Sequence, residues 1–128
     1  MATVAEHMSR ELVRVEREAN LEEAARRMAE RRVGSALVFD GERLIGILTE
    51  RDILRAVADG RLAQTVSDAM TAHPETITSD DTIEHAGVLM LHGGFRHLPV
   101  VDGGETVGIL SIRDLVGIAL ADAAPRGV

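Results

Sequence analysis

Displaced by 62 residues, this sequence matches itself without a gap, and that constrains the fold more than any other feature. Thr3, Val4 and Met8 fall on Thr65, Val66 and Met70. Glu22, Ala24 and Met28 fall on Glu84, Ala86 and Met90, and Val38, Asp40 and Gly41 on Val100, Asp102 and Gly103. Gly46-Ile47-Leu48 falls on Gly108-Ile109-Leu110, followed in both copies by a hydroxyl residue and then by Arg51-Asp52 or Arg113-Asp114. The chain divides into one repeat over residues 1–62, a second over 63–121, and a tail over 122–128. At 128 residues it is one domain, or two halves too short to bury separate cores.

Each copy predicts the same order of elements. A short extended piece, Leu12–Val15 or Thr76–Thr78, precedes an amphipathic helix over 20–32 or 82–92. In the first helix Leu21, Ala24, Ala25 and Met28 share a face. Asn20 with Glu23 reads as a capping box, and Glu22–Arg26 and Glu23–Arg27 read as i,i+4 pairs. Gly93-Gly94 stops the second. Strands follow at 35–39 and 98–101, then turns at Asp40-Gly41 and Asp102-Gly103-Gly104, then strands RLIGIL and TVGIL. A closing helix starts at or just after the hydroxyl residue: ERDILRAVA or IRDLVGIALA. One such repeat alone is not expected to close a core, whereas two together are.

Composition narrows the function classes. Apolar residues make up 45% of the chain, as in an ordinary folded protein, but there are two Phe and neither Trp nor Tyr. Platforms for stacking single-stranded bases are therefore lacking. The net charge is −7 and every basic residue is Arg. Residues 1–62 hold eleven Arg against twelve acids, and residues 63–128 hold three against nine. Such an acidic second half repels a phosphate backbone, so no nucleic-acid partner is expected. Without cysteine there are no disulfides, thiolate zinc sites or thiol nucleophiles. No apolar leader or membrane-length stretch is present, so the expected location is the cytoplasm, with no membrane partner.

The doubled Gly-Ile-Leu strand, its preceding turn and the [ST]-x-R-D ending resemble the cystathionine-β-synthase (CBS) domain, here as a stand-alone tandem pair, or Bateman module. The resemblance covers about Val4 to Leu120. It implies an α+β fold, two pseudo-symmetric strand-helix-strand-strand-helix repeats packed sheet to sheet. It also implies a regulatory module that binds an adenosine-containing ligand (AMP, ADP, ATP, S-adenosylmethionine or NAD) in the cleft between the repeats. Thr49 and Asp52 are the expected corner of one site, Ser111 and Asp114 of the other. Independently, a hydroxyl at a strand end opens a helix whose free N–H groups favour an anion. An Asp in the first turn offers two oxygens to a ribose. The same residues also read as plain helix caps.

By the resemblance, the pocket of Thr49 and Asp52 receives Arg96, His97 and Pro99, with Thr76 and Ile77 at the base end. Arg96 is the stronger phosphate partner. The pocket of Ser111 and Asp114 receives Gly34, Ser35 and Ala36, without a charge. The phosphorylated ligand is thus expected beside Asp52, while the second site holds an adenosyl group, binds weakly or stays empty. No catalytic residues, metal site or required cofactor are expected: the five His lack ligand spacing, and no Ser stands in a nucleophile elbow. An enzyme is not expected. Ile112, Leu115, Val116, Ile118, Ala119 and Leu120 nearly circle the last helix, and Ile53, Leu54 and Val57 offer a similar face. A homodimer through these second helices is expected, with a change of shape or dimer geometry as the signal. The alternative is a module that binds no ligand, dimerises and docks onto a regulated partner protein.

Overall fold

The computed structural model describes residues 2–123. Residues 124–128, the greater part of the expected tail, lie outside it. In chain order the elements are α1 (Val4–His7), β1 (Arg14–Glu16), α2 (Leu21–Arg31), β2 (Ser35–Asp40), β3 (Arg43–Thr49), α3 (Glu50–Ala58), α4 (Val66–Ala69), β4 (Thr71–Ala72), α5 (Ile83–Gly93), β5 (His97–Asp102), β6 (Glu105–Ser111) and α6 (Ile112–Ala123). The fold is α+β. Two compact units form, and their cut falls elsewhere than the repeat boundary in sequence. One is Glu11–Glu75; the other joins residues up to Arg10 with Thr76 onward.

In the unit Glu11–Glu75 the sheet order is β1-β2-β3-β4. β1 runs parallel to β2, and β2–β3 and β3–β4 are antiparallel. Strand alternation sends Ala36, Val38 and Leu48 to the face that α2 covers with Leu21, Ala24 and Met28, and Ala56 of α3 and Val66 of α4 join this core. Leu37, Phe39 and Ile47, also buried, stand on the other face of the sheet. Asn20 caps α2 by accepting the N–H groups of Glu22 and Glu23. The expected i,i+4 pairs give way to other partners. Glu23 pairs with Arg26 three residues on, while Arg27 donates to the backbone carbonyl of Arg14 at 2.9 Å. Both guanidiniums find an oxygen nearer than an i+4 carboxylate.

In the other unit β5 and β6 form the antiparallel pair, bulged between Val100 and Val101 where β2 is bulged between Val38 and Phe39. Its outer strands shrink to single bridges. Ile77 pairs in parallel with Val100, and Ser9 pairs with Ile109. These are the counterparts, 62 residues displaced, of Val15–Val38 and Thr71–Ile47. Val4, Ile77, Ala86, Met90, Leu98, Val100 and Leu110 make its core. The N-terminal segment belongs here by hydrogen bonds as well as packing. Val4 and Ala5 N–H donate to the carbonyls of Asp81 and Ser79, and Ile83 N–H donates to that of Ala2. The four-residue helices α1 and α4 were not expected from the sequence, being too short for any apolar period to register. Their equivalence lies instead in the repeated Thr-Val and Met of residues 3–8 and 65–70.

Candidate functional site

β3 delivers Thr49 to its C-terminal end, and α3 starts at the next residue. Thr49 has extended backbone angles and caps the helix. Its hydroxyl oxygen accepts the Asp52 N–H at 3.4 Å, and Asp52 Oδ2 accepts the Thr49 N–H at 2.9 Å, closing a capping box. The Thr49 hydroxyl also donates to the same Oδ2 at 3.1 Å. Asp52 Oδ1 faces the Thr71 hydroxyl at 3.4 Å and Arg55 Nη1 at 3.9 Å. Only 5% of Asp52 is exposed, so its carboxylate depends on these donors in place of water.

The second unit repeats the corner. Ser111 N–H and hydroxyl donate to Asp114 Oδ2 at 2.7 and 3.0 Å, and Asp114 N–H donates back to Ser111 Oγ at 3.4 Å. The two corners differ in depth: Asp114 is half-buried where Asp52 is buried.

The segment before each core strand lies along its own unit's corner. Ser35 pairs in register with Thr49 and Ala36 with Leu48, and Glu50 N–H donates to the carbonyl of Gly34. These join Thr49 and Asp52 in the unit Glu11–Glu75. Likewise His97 pairs with Ser111 and Pro99 with Ile109, and Ile112 N–H donates to the carbonyl of Arg96. Ile77 N–H donates to the carbonyl of Pro99. Arg96, His97, Pro99, Thr76 and Ile77 therefore belong to the unit that carries Ser111 and Asp114. Arg96 and Thr76 are exposed, whereas Pro99 and Ile77 are buried.

Three participants escaped the sequence reading. Thr71 bonds Asp52, and behind it Met70 lies against Gly46, where a Cβ would stand 2.4 Å from its Sδ. Met8 lies against Gly108 in the same way, at 2.6 Å. The repeated Gly of Gly-Ile-Leu carried this signal: a strand glycine often marks close approach by another segment. Among the described residues no three of His, Asp and Glu gather to hold a metal ion, and no helix is long and apolar enough to cross a membrane.

The family model described as CBS domain matches residues 4–59 and 66–121. A 17.7 kDa protein of Acidianus ambivalens is 42% identical over 95 residues, 73% of this chain and 58% of that protein. Several CBS domain-containing proteins of Arabidopsis thaliana match as well, and the chain spans only 17% to 19% of their length. Among solved structures, the CBS domain protein PAE2072 of Pyrobaculum aerophilum, complexed with AMP, superposes with a TM-score of 0.85 at 34% identity, over 94% of this chain and 98% of that one. CBSX2 in complex with AMP superposes with a TM-score of 0.80 at 28% identity, over 97% and 100%.

Proposed function

Because the chain belongs to the CBS-domain family, as two such domains in tandem, we propose that it is a regulatory module that binds an adenosine-containing ligand and carries no catalytic activity of its own. The observation behind this reading is the hydroxyl–aspartate corner at a helix start, built twice with the same bonds. AMP in two similar structures supports an adenine nucleotide as the ligand class. Thr49 and Asp52 take the ribose of the phosphorylated ligand, and Arg96 and His97 supply the charge for its phosphate. Thr76, Ile77 and Pro99 serve the base. Ser111 and Asp114, with the uncharged Gly34, Ser35 and Ala36, hold an adenosyl group, bind weakly or stay empty. The signal is a change of shape or dimer geometry, which a ligand produces by binding one arrangement better than another. The dimer forms through α3 and α6, where Leu54, Val57, Val116 and Leu120 are 69%, 54%, 50% and 66% exposed.

Thermal unfolding against AMP, ADP, ATP, NAD and S-adenosylmethionine tests the reading, with Asp52→Ala and Asp114→Ala each compared with its own ligand-free midpoint. At about one hundred times its dissociation constant a ligand adds roughly 2.7 kcal/mol of stability, a shift of several degrees. An adenine nucleotide that shifts wild type but not Asp52→Ala supports the proposal and locates the phosphorylated ligand. Phosphate bound only beside Ser111 refutes the assignment of sites.

The capping box favours a second reading, because a cap explains both Asp residues without a ligand. In that case the chain is an interaction module that dimerises and docks onto a regulated partner. A curve that no ligand moves decides for it.

A further inference from the structure

A carboxylate offers about four lone-pair directions, two on each oxygen. Asp52 accepts three hydrogen bonds, and a guanidinium stands close by. Oδ2 takes the Thr49 N–H and hydroxyl, while Oδ1 faces the Thr71 hydroxyl at 3.4 Å and Arg55 Nη1 at 3.9 Å. With 5% of the residue exposed, little of the carboxylate is open to an incoming hydroxyl. With three of about four directions taken, a ligand diol that sets both hydroxyls on Asp52 must displace at least one bonded donor.

The donors differ in how readily they leave. Those on Oδ2 belong to the cap of α3 and hold the helix start. Arg55 lies beyond hydrogen-bond distance on a side chain that is 66% exposed, so it withdraws into water freely. Thr71 is held by its backbone. It stands in β4, two residues long, which pairs with β3 through Gly46–Ala72 and Ile47–Thr71. Met70 against Gly46 and the His73 N–H on the Ile45 carbonyl, at 3.2 Å, fasten the same stretch. This stretch leads to Thr76, where the chain passes from one unit to the other, so what holds Thr71 holds the connection.

We propose that Thr71 is an internal occupant of the ligand position on Asp52: its hydroxyl holds the oxygen that a ligand hydroxyl takes, so ligand binding there and pinning of residues 70–73 exclude one another. The inference rests on Asp52 as a ligand-binding residue, and it gives the site a built-in competitor. Ligand affinity is set partly by the bond that must be given up. Occupancy reads out as freedom of the connecting segment.

The test uses the full chain, as wild type, Thr71→Val and Thr71→Ser. AMP binding is followed by calorimetry, and backbone amide exchange over residues 70–73 is followed with and without AMP. Thr71→Val removes the donor at nearly constant shape. It should bind AMP roughly threefold or more tightly, the worth of one modest hydrogen bond. Its ligand-free exchange over residues 70–73 should rise toward the level wild type reaches with AMP. Thr71→Ser, which keeps a hydroxyl, should fall nearer to wild type on both measures. AMP binding by Thr71→Val alone also supports the competition. If AMP binds wild type and Thr71→Val equally, or binds Thr71→Val more weakly, the competition is overturned while the nucleotide site stands. If neither AMP nor any other ligand of the unfolding series binds any of the three proteins, the adenosine-ligand reading itself falls, and the competition with it.

Discussion

Asp102 accepts the backbone N–H of Ser79 at 2.9 Å and its hydroxyl at 2.6 Å, tying the exit of the extended segment Thr76–Thr78 to the end of β5. Both donors favour the charged carboxylate, the hydroxyl most, and they lower its pKa below the usual value. A pKa lowered in the folded state makes the contribution fully present above the unfolded value, about 3.9, and lost as pH falls through the folded one. Asp102→Asn should therefore be less stable than wild type near neutral pH, with the gap closing only below about pH 4. Urea unfolding measured from pH 7 down to pH 2 checks this. The counterpart position in the first repeat uses other chemistry, an Arg17–Asp40 ion pair at 3.5 Å on a wet surface. Asp40 and Asp102 were legible as turn residues, since Asp-Gly between apolar runs signals a hairpin. Their bonds to residues 17 and 79 were not, because no local rule joins positions 23 apart. Gly46 and Gly108 show the same boundary. Their recurrence was plain in the sequence, but the reason for it, a Met from a distant segment, is tertiary. At Gly46 a Cβ would also stand 3.0 Å from the Thr71 backbone oxygen, and at Gly108 2.9 Å from that of Ser9, which cannot swing aside as a Met side chain can. Gly46→Ala and Gly108→Ala should each destabilise by about 1–3 kcal/mol, as overpacking does, read from the denaturation midpoint.

Helices declare themselves by their ends. Asn20 accepts two N–H groups of α2, and Thr82, its counterpart, accepts the His85 N–H of α5 at 3.1 Å. Asn20→Ala should cost about 1 kcal/mol of stability, and Asn20→Asp, which keeps the acceptor, far less. Chemical denaturation of the two variants side by side checks the difference. These caps, the Gly94 stop of α5 in the left-handed region and the start of α3 at Glu50 were all legible, because each rests on residues within one helical turn. β2, β3, β5 and β6 were legible from unbroken apolar runs and their turns, and extend one residue or so beyond the expected bounds. The capping box expected of Asn20 and Glu23 forms only by half: the Asn20 arm is in place, while Glu23 turns to Arg26 instead of back to the Asn20 N–H. At α3 and α6 the cap was read as one of two possibilities for the hydroxyl–aspartate pair, and its bonds are in place. Thr71 lay beyond reach, since its bond to Asp52 spans 19 residues.

Across the whole molecule, large apolar side chains left exposed concentrate on α3, α5 and α6: Leu54, Val57, Val88, Leu91, Val116 and Leu120. Helices of a chain that stayed single would leave such surface in water at a loss of about 25 cal/mol for each Å² not buried. On the homodimer proposed above, Leu54→Glu combined with Val116→Glu should yield a monomer by sedimentation velocity at concentrations where wild type is dimeric. Unchanged sedimentation would place the interface elsewhere.

The exchange of ends between the repeats has a consequence for how the chain is made. Glu11–Glu75 is a contiguous stretch, so it can finish folding while the ribosome is still adding the rest. Residues 2–10 cannot. Their partners, Ser79, Asp81, Thr82 and Ile109, are synthesised roughly 70 to 100 residues later, so this segment waits for β6. Closing that long loop slows folding more than it weakens the finished protein. The nascent chain thus carries one contiguous unit already made while residues 2–10 are held in reserve.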